Sequence, residues 1–328
     1  MSLLKMRDVV VSYPRAGRLP VRAVAGVNLS VEPGEILGLV GETGCGKSSL
    51  ARAMVGLVAP ESGEVLFDGV RVEPIGRPSR AVALRRLQMI FQDPSSSLNP
   101  RRKIGDQIEN AVSLAAAAGR PNPRRRAREL LELVGLPDTA AERFPHEFSG
   151  GQRQRISIAR ALAADPRLIV ADEPIAALDA SAQAQIANLL MSLSRELGLS
   201  LVFISHDLSI VRQVADSTAV MYLGKVVEQA PTAQMWASPA HPYTRALTAA
   251  VPRVGASAEL PAELAGDVPD PAQPPPGCRF HPRCPVALER CRTDEPVAVT
   301  APGRVAYCWR ADLPGAAHPV DQSASRSW

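Results

Sequence analysis

Residues 41–49 read "GETGCGKSS" and follow directly on the short apolar run "EILGLV" at 35–40. Gly41, Gly46, Lys47 and Ser48 fit the pattern G-x-x-x-x-G-K-[ST], and a helical pattern, "KSSLARAMVGL", continues from it. A strand, a glycine-rich turn and a helix in that order gather bare N–H groups at a helix N-terminus, where they hold anions. The glycines Gly41, Gly44 and Gly46 let the backbone wrap phosphate oxygens closely, with Thr43 and Ser49 completing the cradle. Lys47 is expected to reach the β- and γ-phosphates of a nucleotide, and the Ser48 hydroxyl to ligate Mg²⁺. A chance glycine-rich turn would not need this strand before it and this helix after it. Cys45 takes a variable position of the loop and is assigned no role.

Other apolar runs end in polar motifs in the same way: "LQMIFQ" (87–92), "RLIVADE" (167–173) and "SLVFISHD" (200–207). Short continuous apolar strands alternating with helical patterns argue for an α/β fold with a parallel sheet covered on both faces. Ligands of such sheets gather at the carboxyl ends of the strands. Asp172 falls there and is the candidate Mg²⁺ carboxylate beside Ser48. Glu173, next in an extended chain, is expected to point to the opposite side and to polarise an attacking water. The plain alternative is that two acids merely finish a strand before Pro174, and His206 and Gln92 would each be unremarkable alone.

A second stretch, "EFSGGQRQRISIAR" (147–160), also has the look of an anion-holding helix N-terminus. Ser149 and Gln152 make the S-x-x-Q capping box, with Ile156, Ala159 and Leu162 on the buried face. The cap leaves Gly150 and Gly151 unexplained, because paired glycines cost helix stability unless something approaches the backbone closely. Since the first loop already cradles a nucleotide of its own, the simplest ligand of the second is a nucleotide held by another subunit. Two subunits facing head to tail would then bury two nucleotides between them.

The 328 residues suggest two domains. With 46% apolar residues the chain is globular, and no uncharged apolar run is long enough to span a membrane. "MSLLKMRDVVV" lacks the pattern of a secretory signal, so a cytoplasmic location is expected. The net charge of +4 is modest, and Arg124, Arg125, Arg126 and Arg128 sit on a helix pattern with Leu130, Leu131, Leu133 and Val134 as its buried side. A solvated helix face accounts for them, and nucleic acid is not expected as a partner. Residues 3–34 read as antiparallel strands and "GEVLFDGVRV" as a hairpin turning at Asp68-Gly69. The expected division is a nucleotide-binding domain at 1–254 with a helical lobe at about 93–165, a Pro-rich linker at 255–277, a four-cysteine module at 278–310 and a loose tail at 311–328.

The series "GETGCGKSS", "FQDPSSSLNP", "FSGGQRQR", "LIVADEP", "AALD" and "ISHDL", over about residues 3–250, resembles the ATPase subunit of ATP-binding cassette (ABC) transporters. "SGGQ" between a phosphate loop and "DEP" is specific to that superfamily. The resemblance implies a P-loop NTPase cassette, with a RecA-like parallel core, an antiparallel β subdomain and a helical subdomain. ATP would close a dimer of such subunits and hydrolysis would reopen it. Tyr13 would stack on adenine, and Gln92 would sense the γ-phosphate and share in binding Mg²⁺. Glu173 would be the catalytic base and His206 would contact the γ-phosphate. Asp179 would lie at the dimer seam, and Ser149, Gly150, Gly151 and Gln152 would serve the partner's nucleotide. Phe148 and Ala176 depart from the usual leucine and serine, without removing a charged or metal-binding group.

"FQDPSSSLNPR", "FPHEFSGGQRQRI", "HPYTRAL" (241–247) and "PPPGCRFHPRCPVALERC" resemble more narrowly the oligopeptide/dipeptide importers, and "GCGKS" with "FQDPSSSLNP" their second ATPase type. The implied partners are a different ATPase subunit, two transmembrane permease subunits that would hold the chain at the cytoplasmic face of the membrane, and an external binding protein. The segment after Gln92 would touch a permease helix. An importer of nickel, glutathione or another solute has similar ATPases. A soluble cassette acting on DNA or ribosomes is disfavoured, since there is one cassette and no heptad run. Cys278, Cys284, Cys291 and Cys308, spaced C-x5-C-x6-C-x16-C, suit a [4Fe–4S] cluster or a structural zinc. Close C-x2-4-C pairs, frequent in zinc sites, are missing, and the resemblance implies a cluster in some members. His281 is read as a bystander.

Overall fold

The structure, a computed structural model, describes residues 2–15, 17–76, 81–115, 122–251 and 266–313. Residues 255–265 of the expected linker (255–277) and all but the first residues of the expected tail (311–328) lie outside them.

β1 (Leu4–Arg15) and β2 (Arg18–Val31) form a long antiparallel ribbon, and β3 (Ile36–Val40) leads into the phosphate loop and α1 (Lys47–Met54). β4 (Ser62–Phe67) and β5 (Val70–Arg71) complete a four-stranded antiparallel sheet in the order β2-β1-β4-β5. The expected hairpin is present, turning where Asp68 (φ 50°) and Gly69 (φ 76°) take left-handed conformations. β6 (Leu87–Ile90) follows, then the helices α2 (Pro94–Ser97), α3 (Ile104–Ala115), α4 (Pro123–Leu133) and α5 (Gly150–Leu162). β7 (Leu168–Asp172), α6 (Ala180–Leu197), β8 (Ser200–Ile204), α7 (Leu208–Val214) and β9 (Ser217–Tyr222) finish the parallel core. β10 (Lys225–Pro231), α8 (Thr232–Ala237), α9 (Pro242–Ala249), β11 (Ala298–Ala301) and β12 (Arg304–Tyr307) close the chain.

The second sheet has the order β11-β12-β10-β9-β3-β8-β7-β6. Its five strands from β9 to β6 are parallel, and β10, β12 and β11 extend it antiparallel. β3, β7 and β8 are buried at every residue, as their largely apolar sequences require of strands covered on both faces, with Asp172 ending β7 and Ser200 starting β8. Alternation along β3 divides the core. Ile36 and Val40 join a cluster with α3–α6, whereas Leu37 and Leu39 join α1 and the antiparallel sheet. Each such fully buried side chain contributes about 1.5–3 kcal/mol.

The arginines of α4 are answered within the chain. Arg125 and Arg126 pair with Glu129, and Arg124 and Arg128 with Glu142, while Leu130, Leu131 and Val134 are fully buried. Among the described residues no helix is long and apolar enough to cross a membrane.

Candidate functional site

Two glycines of the phosphate loop are fixed by its surroundings. A Cβ on Gly41 would stand 2.1 Å from the Met221 carbonyl oxygen, and one on Gly46, which caps α1 at φ 108°, would stand 2.1 Å from that of Ala23. The loop is pinned to the β9–β10 turn, where the Gly224 N–H donates to the Cys45 carbonyl (2.7 Å). The buried Lys47 Nζ donates to the carbonyls of Gly41 (2.7 Å) and Glu42 (3.1 Å), so the loop holds its own lysine.

The parallel strands deliver the remaining groups. At the end of β7 the buried Asp172 accepts a hydrogen bond from the Ser48 hydroxyl (3.0 Å). Burial pushes its carboxyl up from the ordinary range, against the pull of the Ser48 bond. Glu173 corrects one expectation. It is not extended but left-handed at φ 45°, because the chain leaves the strand in a sharp turn before Pro174. The two carboxylates still address different partners. Glu173 Oε2 accepts from Gln92 Nε2 (3.2 Å) beyond β6 and lies 3.6 Å from His206 Nδ1 beyond β8.

These groups share one cleft of about 490 Å³. Thr43, Gly44, Gly46, Lys47, Ser48 and Ser49 line it from the loop, and Gln92, Glu173 and His206 from the strand ends. Glu173 is the one carboxylate among the lining residues, and Gly41 and Asp172 lie behind it. Such a cleft can seat a polyphosphate against cations and N–H groups with a carboxylate base beside it. Ala23 and Ala176 also line it; Ala176 is the position that departs from the usual serine, while Ala23 gave no signal in the sequence.

Tyr13 is not among the lining residues. It pairs with Val21 on β2, two positions from the lining Ala23, and packs against the antiparallel sheet's core. Ser149 caps α5 by the expected box, its N–H donating to Gln152 Oε1 (3.0 Å) and its Oγ accepting from the Gln152 N–H (3.3 Å). This helix end is exposed and away from the cleft's lining. A Cβ on Gly150 or Gly151 would make only ordinary contacts, at 3.4 Å to Leu178 and 3.6 Å to Ala182. Asp179, also exposed, caps α6 by accepting from the Ala182 N–H (2.9 Å).

The four late cysteines are free thiols lining one small cavity with Phe280, His281 and Trp309. Burial raises the thiols of Cys278 (to about 11), Cys284 and Cys308, and the neighbouring thiols add to it. Among the described residues no group of three or more His, Cys, Asp or Glu is arranged to hold a metal ion.

An ABC transporter family model matches residues 24–176, and one for the oligopeptide/dipeptide transporter C-terminal region matches 227–291. The chain is similar to a probable peptide ABC transporter ATP-binding protein of Sinorhizobium fredii, at 47% identity over 99% of this chain and 94% of the relative. It is also similar to a di/tripeptide transport ATP-binding protein of Pseudomonas aeruginosa, at 44% over 95% and 98%. Among solved structures, a dimeric ATP-binding cassette in a post-hydrolysis state with ADP and phosphate matches with TM-score 0.63 and 29% identity, over 70% of this chain and 98% of that one. The cassette cbiO1 of Clostridium perfringens matches with TM-score 0.61 and 28% identity, over 72% and 91%. With its phosphate loop, its strand-end carboxylates and relatives alike over nearly their whole length, the chain belongs to the ATP-binding cassette family of transporter ATPases.

Proposed function

We propose that this chain hydrolyses ATP to drive an importer of oligopeptides or dipeptides. The observation that carries the reading is the cleft, with Glu173 set between Gln92 and His206 opposite the phosphate loop, in a chain whose C-terminal region matches the peptide-transporter model. Lys47 exchanges its loop carbonyls for the β- and γ-phosphates. Ser48, Asp172 and Gln92 would hold Mg²⁺, which would supply positive charge against the phosphates. Glu173 takes a proton of the attacking water as the water oxygen bonds to the γ-phosphorus and the bond from that phosphorus to the β–γ bridging oxygen breaks, leaving ADP and inorganic phosphate. Gln92 and His206 orient that water and the γ-phosphate. Tyr13 takes the adenine.

The site is completed by a second, different ATPase subunit, whose nucleotide meets Ser149, Gly150, Gly151 and Gln152, with Asp179 at the seam. Support comes from an exposed helix end whose glycines this chain does not itself need. The similar solved cassette is likewise dimeric.

Two permease subunits hold the chain at the cytoplasmic face of the membrane, and an external binding protein supplies the peptide. An apolar groove lined by Leu57, Ile75, Leu87, Phe91 and Leu114, just before the segment after Gln92, supports permease docking. Its Leu114 is 68% exposed. The nucleotide-binding domain at 1–254, the helical lobe at 93–165 and the cysteine module at 278–310 are the proposed working units.

In that module Cys278, Cys284, Cys291 and Cys308 hold a [4Fe–4S] cluster. Support comes from four free thiols lining one cavity, and from a sequence spacing that lacks the close C-x2-4-C pairs frequent in zinc sites. Protein purified without oxygen will be brown and will lose its iron on Cys284→Ser; colourless protein with one stoichiometric zinc refutes the cluster. For the transport function, the full complex in liposomes will accumulate di- to pentapeptides only with internal ATP and wild-type Glu173. Uptake without ATP, or ATP turnover indifferent to peptide-loaded binding protein, would overturn it.

A further inference from the structure

Position 42, a variable place in the phosphate-loop pattern, carries a glutamate whose carboxylate is three-quarters buried. A negative charge inside a loop that receives a polyphosphate works against the loop's purpose unless something cancels it. Arg283, 241 residues later and one position before Cys284, does so. Its Nη1 and Nη2 donate to Glu42 Oε2 and Oε1 at 2.8 and 3.1 Å, the forked geometry that arginine makes with a carboxylate. The Arg283 side chain is 5% exposed, and its guanidinium lies 5.9 Å from the Tyr222 ring centroid. The Glu42 backbone is held as well. Its N–H donates to the buried Tyr243 hydroxyl (3.1 Å), and its carbonyl accepts from Lys47 Nζ. The α9 tyrosine, the cysteine-segment arginine and the loop lysine thus meet at one residue of the loop.

We infer that Arg283 is a positioning residue of the nucleotide site, which neutralises and orients Glu42 and so makes the cysteine-bearing segment part of the ATP-binding step. The inference rests on the reading of residues 41–49 as the ATP cradle. Removing one partner of a buried ion pair leaves the other as an uncompensated charge. Here that charge is a carboxylate of the phosphate loop itself, set outside the cleft's lining, and its repulsion of a bound polyphosphate grows with the number of phosphates. Removing both partners restores neutrality. A residue that only supported the fold would show neither the phosphate dependence nor the rescue.

The test titrates the full-length chain with a fluorescent ATP analogue and the matching ADP analogue, with thermal unfolding followed in parallel. Arg283→Met is expected to weaken the ATP analogue about tenfold and the ADP analogue less. Glu42→Gln added to Arg283→Met is expected to return both to within about twofold of wild type, and Arg283→Lys, which keeps charge but loses the fork, to weaken the ATP analogue about threefold. Folded Arg283→Met binding within twofold of wild type overturns the inference, and so does a double variant as weak as the single one. If Arg283→Met does not fold, the decision passes to Arg283→Lys, where unchanged binding overturns it. Lys47→Ala separates the two readings. If it binds the ATP analogue normally, the cradle assignment itself fails, whatever Arg283 does.

Discussion

The N-terminus of α1 and that of α5 are both glycine-bearing helix starts, yet the chain treats them in opposite ways. At α1 the glycines are demanded from within, since Gly41 and Gly46 sit against the carbonyls of Met221 and Ala23, and Lys47 is buried behind them. At α5 nothing in the chain crowds Gly150 or Gly151, and Ser149 and Gly150 are exposed. The first end is fixed by its own chain and the second is left bare. Small residues that a chain does not need for itself point to what another surface requires.

Substitutions at matched positions sharpen this contrast. Gly46→Ala should cost more than about 3 kcal/mol of stability, since its backbone conformation and a carbonyl 2.1 Å away both oppose a side chain. Chemical denaturation checks it, and a variant as stable as wild type would show that the α1 loop is not so constrained. Glu173→Gln should lower ATP turnover of the assembled transporter by about 10²-fold or more, while nucleotide still binds. That would place the hydrolytic work at the α1 cleft, and ordinary turnover would remove it from there.

Asp172→Asn probes the charge buried at that same end. Because burial raises the Asp172 carboxyl above its ordinary 3.8, the folded chain keeps its proton to higher pH than the unfolded one. Stability contributed by this group is therefore full below that value and lost as pH rises through the folded one. The nucleotide-free Asn variant should melt higher than wild type at neutral pH and lose Mg²⁺-dependent binding. A lower melting temperature would contradict the burial argument. Smallest is Gly151→Ala, which should leave the isolated chain as stable or up to about 1 kcal/mol more so, yet slow the assembled transporter. Loss of stability like that of Gly46→Ala would erase the contrast between the two ends.

The sequence made the α1 end easy to read, because strand, loop and helix are contiguous and each position has one physical job. The carboxylates of 172 and 173 were legible for the same reason, but the left-handed turn at Glu173 was not, since nothing local distinguishes it from extended chain. The capping box of Ser149 and Gln152 was visible from its spacing alone. Two features escaped. β12 is a four-residue strand that pairs with β10 across more than seventy residues, too short to carry a pattern. Glu42 and Arg283 each look like an ordinary surface charge until the fold brings them together. Short-range grammar showed the cradle, and long-range pairing decides what braces it.

The direct test of a nucleotide shared between two chains uses the assembled transporter with Ser149→Arg and Gly151→Asp introduced in this chain alone. Photo-crosslinking of an azido-ATP to this chain's own loop should be unchanged while ATP turnover of the complex falls by at least about half, because the partner's nucleotide loses its second wall. Full turnover with both substitutions in place would mean that each chain completes its site unaided, and would contradict the account.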